Sequence, residues 1–84
     1  MKLVFSEAAW DDYLNWQRQD RRMVERINKL IRDTQREPFS GAGKPEALKH
    51  ALSGYWSRRI TEEHRMVYSV GEDALLIAQL RYHY

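Results

Sequence analysis

The chain contains no cysteine, which excludes a disulfide framework and any thiolate metal site. That absence fits a cytoplasmic protein. No apolar run approaches the roughly 20 residues of a membrane-spanning helix or the core of a signal peptide, so neither a membrane contact nor a secretory leader is expected. Proline and glycine are sparse, at 2 and 4 residues, and both prolines and three of the glycines fall within residues 38–54. Outside that stretch little interrupts regular structure. There is no internal repeat and no low-complexity segment. With 84 residues the chain is expected to form one domain, 1–84. A domain that small buries a modest share of its surface, so marginal stability or help from a partner is expected.

What is present suffices for a core: hydrophobic residues make up 43% of the chain, including 3 Trp and 5 Tyr. The net charge of +2 conceals an uneven spread, because residues 21–50 carry 8 basic against 4 acidic groups. Such a basic middle suits a nucleic-acid backbone, or equally the solvated face of an ordinary helix.

Lys2 to Phe5 reads as a short strand. Ser6 can cap a helix starting at Glu7, and Ala9, Trp10, Tyr13, Leu14 and Gln17 follow helical spacing. Trp10, Tyr13 and Trp16 form an aromatic group suited to core or partner packing. Asp20 caps a second helix in which Met23, Val24, Ile27, Leu30, Ile31 and Thr34 recur at steps of three and four. Its other side carries Arg22, Arg26, Lys29, Arg32 and Arg36. With almost no linker between them, the helices should form an antiparallel hairpin, and Pro38 ends the second. Residues 38–54 read as a long irregular loop, of a length that is usually functional or disordered. Within it, Gly41-x-Gly43-Lys44 matches a phosphate loop only weakly. Leu75 to Leu80 is nearly all apolar and reads as a strand buried on both faces. The terminal Arg81-Tyr82-His83-Tyr84 follows directly and is expected to be held and not frayed.

Residues 56–70 carry the sharpest pattern. Trp56, Ile60, Met66, Tyr68 and Val70 share one parity, while Tyr55, Ser57, Arg59, Thr61, Arg65 and Ser69 share the other. A three-residue loop near Glu62-Glu63 keeps the apolar set on one face, and it pairs Arg59 with Arg65, Ser57 with Val67 and Trp56 with Tyr68. Arg59 and Arg65 then stand side by side on the non-core face with Glu63 at the lip. Two such guanidinium groups suit a phosphate between them; the alternative is a solvated sheet face with scattered charge. The predicted order is β-α-α-β-β-β, an α+β domain with a helical hairpin packed on a small, mainly antiparallel sheet.

If loop, hairpin face and tail converge, they bring together Glu46, Lys49, Arg59, Glu63, Arg65, His83 and Tyr84. No Ser-His-Asp or Cys-His set is evident, and the three His, at 50, 64 and 83, lack metal-ligand spacing. The set fits RNA cleavage through the 2′-hydroxyl without metal or cofactor. Glu46 would take the 2′ proton, Arg65 with Arg59 and Lys49 would bind the anion, and His83 would protonate the leaving oxygen.

The runs G-K-P-E-x-L-K at Gly43–Lys49, L-S-G-x-W-S-R-R-I at Leu52–Ile60, H-R-x-V-Y at His64–Tyr68 and the terminal R-Y-H-Y together resemble the YoeB-like family of the RelE superfamily. The resemblance covers the whole chain. It implies a microbial RNase-like fold and a ribosome-dependent mRNA interferase acting on mRNA in the ribosomal A site. It implies a YefM-like antitoxin as partner, operator DNA bound only through that complex, and a possible homodimer. By this resemblance the catalytic positions are Glu46, Arg65 and His83, and the supporting ones Lys49, Arg59, Glu63 and Tyr84. The basic second helix would face ribosomal RNA. Two other readings stay open: a catalytically weak module that acts with its antitoxin as a DNA-bound repressor, and a general nuclease of free RNA.

Overall fold

The computed structural model describes residues 1–82. It arranges them as strand β1 (Lys2–Phe5), helix α1 (Glu7–Gln19), helix α2 (Arg21–Arg36), strand β2 (Glu46–Ala47), a 3-10 turn (His50–Leu52), and strands β3 (Trp56–Arg59), β4 (Arg65–Val70) and β5 (Ala74–Gln79). The caps are those the sequence offers. The Ser6 hydroxyl accepts from the Ala9 amide and donates to the Ala78 carbonyl, both at 3.0 Å, so one residue starts α1 and ties it to β5. Asp20, the one residue between the helices, accepts from the Arg22 amide at 3.1 Å. Across the helix pair, the Tyr13 hydroxyl donates to Asn28 Oδ1 at 2.6 Å.

The sheet runs β1-β5-β4-β3-β2. β1 lies parallel to β5, and the other pairings are antiparallel. The hairpin register is the expected one, with Trp56 opposite Tyr68, Ser57 opposite Val67 and Arg59 opposite Arg65. Both helices cover one face. Met23, Ile27, Leu30 and Ile31 of α2 meet Met66, Tyr68, Leu75 and Ile77 there, and Ala9 and Trp16 of α1 join them. Burying side chains of this size is worth about 1.5–3 kcal/mol each.

The structure corrects three expectations. Residues 38–54 are not wholly irregular, because Glu46 and Ala47 pair with Ser57 and Trp56 as an added edge strand. Two residues carry no readable period; the strand exists because β3 offers it an edge. Leu75–Leu80 is not buried on both faces. Leu75 and Ile77 are fully buried, whereas Leu76 and Ala78 are half-buried; the run is apolar because β5 is central, with strands on both sides. The aromatic trio of α1 also divides. Trp16 enters the core, while Trp10 stacks on Tyr13 at 5.8 Å and meets Phe5 edge-on at 5.7 Å, since a six-residue step turns about 240° around a helix.

Arg58 shares the parity of the helix-covered face, and its side chain is fully buried. Its guanidinium donates to the carbonyls of Glu37, Ser40 (2.9 Å) and Ala42 (3.0 Å), and Nε donates to the Tyr68 hydroxyl at 3.1 Å. That hydroxyl in turn donates to the Pro38 carbonyl at 2.7 Å. The segment after α2 is thus fastened to the sheet by backbone carbonyls converging on one cation. Burial raises the Tyr68 hydroxyl above its ordinary value of 10.0, and the hydrogen bond and charge of Arg58 oppose that shift without cancelling it.

Arg58→Met should cost about 2–4 kcal/mol by stripping those carbonyls of their donor, and Tyr68→Phe about 1–2 kcal/mol. Urea midpoints should fall in that order at constant slope. An Arg58→Met protein as stable as wild type would refute this account of the loop. The raised Tyr68 value also fixes a sign. The folded state holds its proton more tightly, so the stabilisation is complete below pH 10.0 and is lost as pH rises from there through the folded-state value. Stability measured from pH 9 to 11 (roughly the range that brackets the tyrosine titration) should therefore fall more steeply for wild type than for Tyr68→Phe.

Candidate active site

Directly opposed residues of antiparallel strands share a face, and alternate residues of one strand do too. Glu46 lies opposite Ser57, Ser57 opposite Val67, and Arg59 opposite Arg65. Glu46, Arg59 and Arg65 therefore lie on one face of three neighbouring strands, the face away from the helices. Glu46 and the arginine pair are offset by two residues, roughly 7 Å of strand.

Arg65 is half-buried. Its Nη1 donates to the carbonyls of Thr61 at 2.7 Å, Glu62 at 3.0 Å and His64 at 3.3 Å. Those carbonyls belong to the hairpin turn, so the turn orients the guanidinium. The Nε and Nη2 groups have no partner among the described residues. That edge is the side-on fork that fits two oxygens of one phosphate. Arg59 is exposed and meets Glu62 Oε1 at 3.4 Å. Such surface pairs contribute about 0–1 kcal/mol, so this one yields readily to a stronger anion.

Glu63 is exposed, and its carboxylate lies 3.7 Å from His64 Nε2. Lys49 is exposed beside Glu46 in an open cleft of about 310 Å³, which Ala47, Leu48, His50 and Leu52 complete. A second groove, about 220 Å³, joins Arg59 and Gly43 to Arg26, Lys29 and Asp33 of α2. The expected acid His83 and the supporting Tyr84 lie outside the described residues. Among the described residues, no group of three or more His, Asp or Glu is placed to hold a metal ion.

Gly43 does not serve as a phosphate loop. Its φ is +81°, and a Cβ there would lie 3.0 Å from the Arg59 carbonyl and 3.1 Å from Arg58 Cβ and Leu30 Cδ1. The Arg59 amide donates to the Gly43 carbonyl at 2.7 Å. Glycine lets the loop lie against β3 and lead into Glu46.

Two residues around the site escaped the sequence reading. His64 is buried, although it sits between charges in the sequence. Gln79 is the polar residue in an apolar run. A β-bulge between Tyr68↔Ile77 and Val67↔Gln79 inserts one extra residue into β5. The insertion moves Gln79 onto the face of Val67 and Arg65 and returns Leu80 to the core. The break in apolar pattern at Gln79 was the available signal.

A family model described as the YoeB-like toxin of bacterial type II toxin-antitoxin systems matches residues 5–84. Toxin YoeB of Escherichia coli strain K12 is 68% identical over 84 residues, covering 100% of both chains. Among solved structures, a YoeB/ParE toxin from Agrobacterium tumefaciens superposes with TM-score 0.97 at 58% identity, over 100% of each chain. The Staphylococcus aureus toxin has been solved as a YoeB dimer, with TM-score 0.93, and in a heterotetrameric YoeB-YefM complex, with TM-score 0.92. Both show 45% identity over 100% of this chain and 98% of that one.

The packing around Gly43 yields a paired expectation. Gly43→Ala meets fixed backbone and side-chain roots, and should cost about 2–3 kcal/mol through overpacking and a strained φ. Gly54 has φ +97° and nothing within 4 Å of a Cβ. Gly54→Ala should therefore cost only about 1 kcal/mol, from strain alone. Equal losses in thermal denaturation would show that loop contact against β3 is not what requires Gly43.

Proposed function

Because the chain belongs to the YoeB-like toxins of bacterial type II toxin–antitoxin systems, we propose that it is a ribosome-dependent mRNA interferase. It cleaves mRNA in the ribosomal A site and so stops translation in the cytoplasm. The observation that carries the reading is the Nε–Nη2 edge of Arg65. It belongs to a guanidinium already oriented through Nη1, on the sheet face that also carries Arg59 and Glu46.

In this mechanism Glu46 removes the 2′-hydroxyl proton. The 2′-oxygen attacks the adjacent phosphorus, and the bond to the 5′-oxygen breaks. Arg65, with Arg59 and Lys49 nearby, stabilises charge on the non-bridging oxygens. His83 protonates the departing 5′-oxygen, while Glu63 and Tyr84 support the site. The products are a 2′,3′-cyclic phosphate and a 5′-hydroxyl. The acid and the base each contribute about 10²–10⁴ in rate. The reaction requires the 2′-oxygen in line with the leaving group, and a ribosome-held codon supplies that orientation. The basic face of α2, with Arg22, Arg26, Lys29, Arg32 and Arg36 all exposed, borders Arg59 through the shared groove and faces ribosomal RNA. The S. aureus relative is described both with YefM and as a dimer. A YefM-like antitoxin is accordingly the proposed partner, operator DNA is reached through that complex, and a homodimer is a further state.

Primer extension on one mRNA, with and without translating ribosomes, tests the reading. Cuts are expected only with ribosomes and only in the A-site codon. Equal cutting of free RNA would make the chain a general nuclease, and no cutting would make it a binding module. Arg65→Ala should lower the cleavage rate by about 10²–10³ while leaving ribosome affinity nearly unchanged. Parallel losses of rate and affinity would reassign Arg65 to docking.

A further inference from the structure

Two successive grips fix the chain beyond β5. At Leu80, the amide donates to Asp12 Oδ2 at 3.0 Å and the carbonyl accepts from Trp16 Nε1 at 2.9 Å, so α1 holds both polar groups of that residue. At Tyr82, the amide donates to His64 Nδ1 at 2.7 Å, and the carbonyl accepts from the Arg65 amide at 3.0 Å. Gln79 Nε2, turned to this face by the bulge, donates to the Arg81 carbonyl at 2.7 Å. Tyr82 has φ +61°. Residues other than glycine stay in that left-handed region only where their surroundings hold them.

His64 is built for the second grip. It is 8% exposed, its ring meets Trp16 edge-on at 4.8 Å, and it packs against the Tyr82 ring at 5.4 Å. Because Nδ1 accepts a hydrogen bond, the neutral ring carries its proton on Nε2, the side of Glu63. The dipeptide His64-Arg65 therefore holds one residue, Tyr82, through both its amide and its carbonyl. Arg65 is the proposed phosphate ligand, and the proposed acid is one peptide bond beyond Tyr82.

We propose that His64 is a positioning residue for the cleavage reaction. By holding Tyr82 in its left-handed conformation against Arg65, it sets the point from which His83 is attached relative to the phosphate-binding guanidinium. This role rests on the nuclease reading above. His64 is buried and acts through the tail, so it governs the chemical step and not RNA capture.

The test uses the full chain on translating ribosomes with two substitutions of similar polarity. In His64→Asn the acceptor oxygen is two bonds from Cβ, as Nδ1 is. In His64→Gln it is three bonds away, where Nε2 was. His64→Asn should keep kcat within about threefold, while His64→Gln should lower it by about 10²-fold with KM unchanged. Hydrogen exchange of the Tyr82 amide should stay slow in wild type and His64→Asn and speed up in His64→Gln. Equal kcat in the two variants, a loss shared with KM, or rates that merely follow thermal midpoints would overturn the role. Should neither variant fold, an ester in place of the Tyr82 amide, installed by ligating a synthetic C-terminal peptide, removes the same hydrogen bond. It should reproduce the loss in kcat, and an ester protein with full kcat would overturn the proposal. A wild-type protein that cuts no mRNA would overturn the nuclease reading and this role with it, while the exchange data would still show whether the bracket exists.

Discussion

A buried guanidinium holds this fold together at its least regular point. Arg58 is fully enclosed, and an enclosed cation is tolerable only when its donors are satisfied. Three backbone carbonyls of residues 37–42 and the Tyr68 hydroxyl satisfy it. The dependence runs both ways. The cation needs those carbonyls, and the loop that supplies them has no apolar core of its own. Once fastened, the loop meets β3 at Gly43 and continues into β2, which brings Glu46 to the edge of the sheet. The position of Glu46 thus follows from a charge on the opposite face.

Alternation along β3 sends the two arginines of one dipeptide to opposite faces, one buried and one exposed. Arg58 points toward the helices and makes four protein contacts. Arg59 points away and meets Glu62 in a weak ion pair. A one-residue slip of β3 would exchange them, exposing the cation that holds the loop and burying the one suited to an external anion. The hairpin register is therefore under constraint from both faces, beyond the usual apolar requirement. At β5 the bulge does the reverse of a slip: it changes phase once, after Ile77, so that Gln79 serves the outer face and Leu80 the core.

These arrangements differ in how plainly the sequence shows them. The α2 face, both N-caps and the hairpin register follow from local spacing, because each repeats a period or a cap signature over several residues. The α+β architecture follows from their order. The buried role of Arg58 was available from parity alone, since it falls between Trp56 and Ile60, but a charged residue does not mark an apolar face and parity alone gives it no partners. β2 was not legible, because two residues carry no period and their pairing depends on Arg58 and Gly43. The bulge was hidden for a related reason: an apolar run such as Leu75–Leu80 fits either phase, and only contact with Asp12 and Trp16 selects one. Of the candidate site, Arg59 and Arg65 were placed by register, whereas the bracket on Tyr82 needed tertiary structure.

The outer face is thus assembled from pieces that the inner face and the turns hold in place. Arg65 is oriented by turn carbonyls, Glu46 by the loop that Arg58 fastens, and Tyr82 by His64 and the Arg65 amide. An 84-residue chain has little core to offset strain at a site. Here the supports are mostly hydrogen bonds to backbone groups, which position a residue without taking up the side-chain atoms that would meet a ligand. Arg65 shows the economy of this: Nη1 is used for orientation, and among the described residues the adjoining Nε–Nη2 edge has no partner, which is what the proposed anion contact requires. Lysine could not divide its donors in this way, because they all radiate from one nitrogen, and orienting that nitrogen would use the group the proposed anion contact needs.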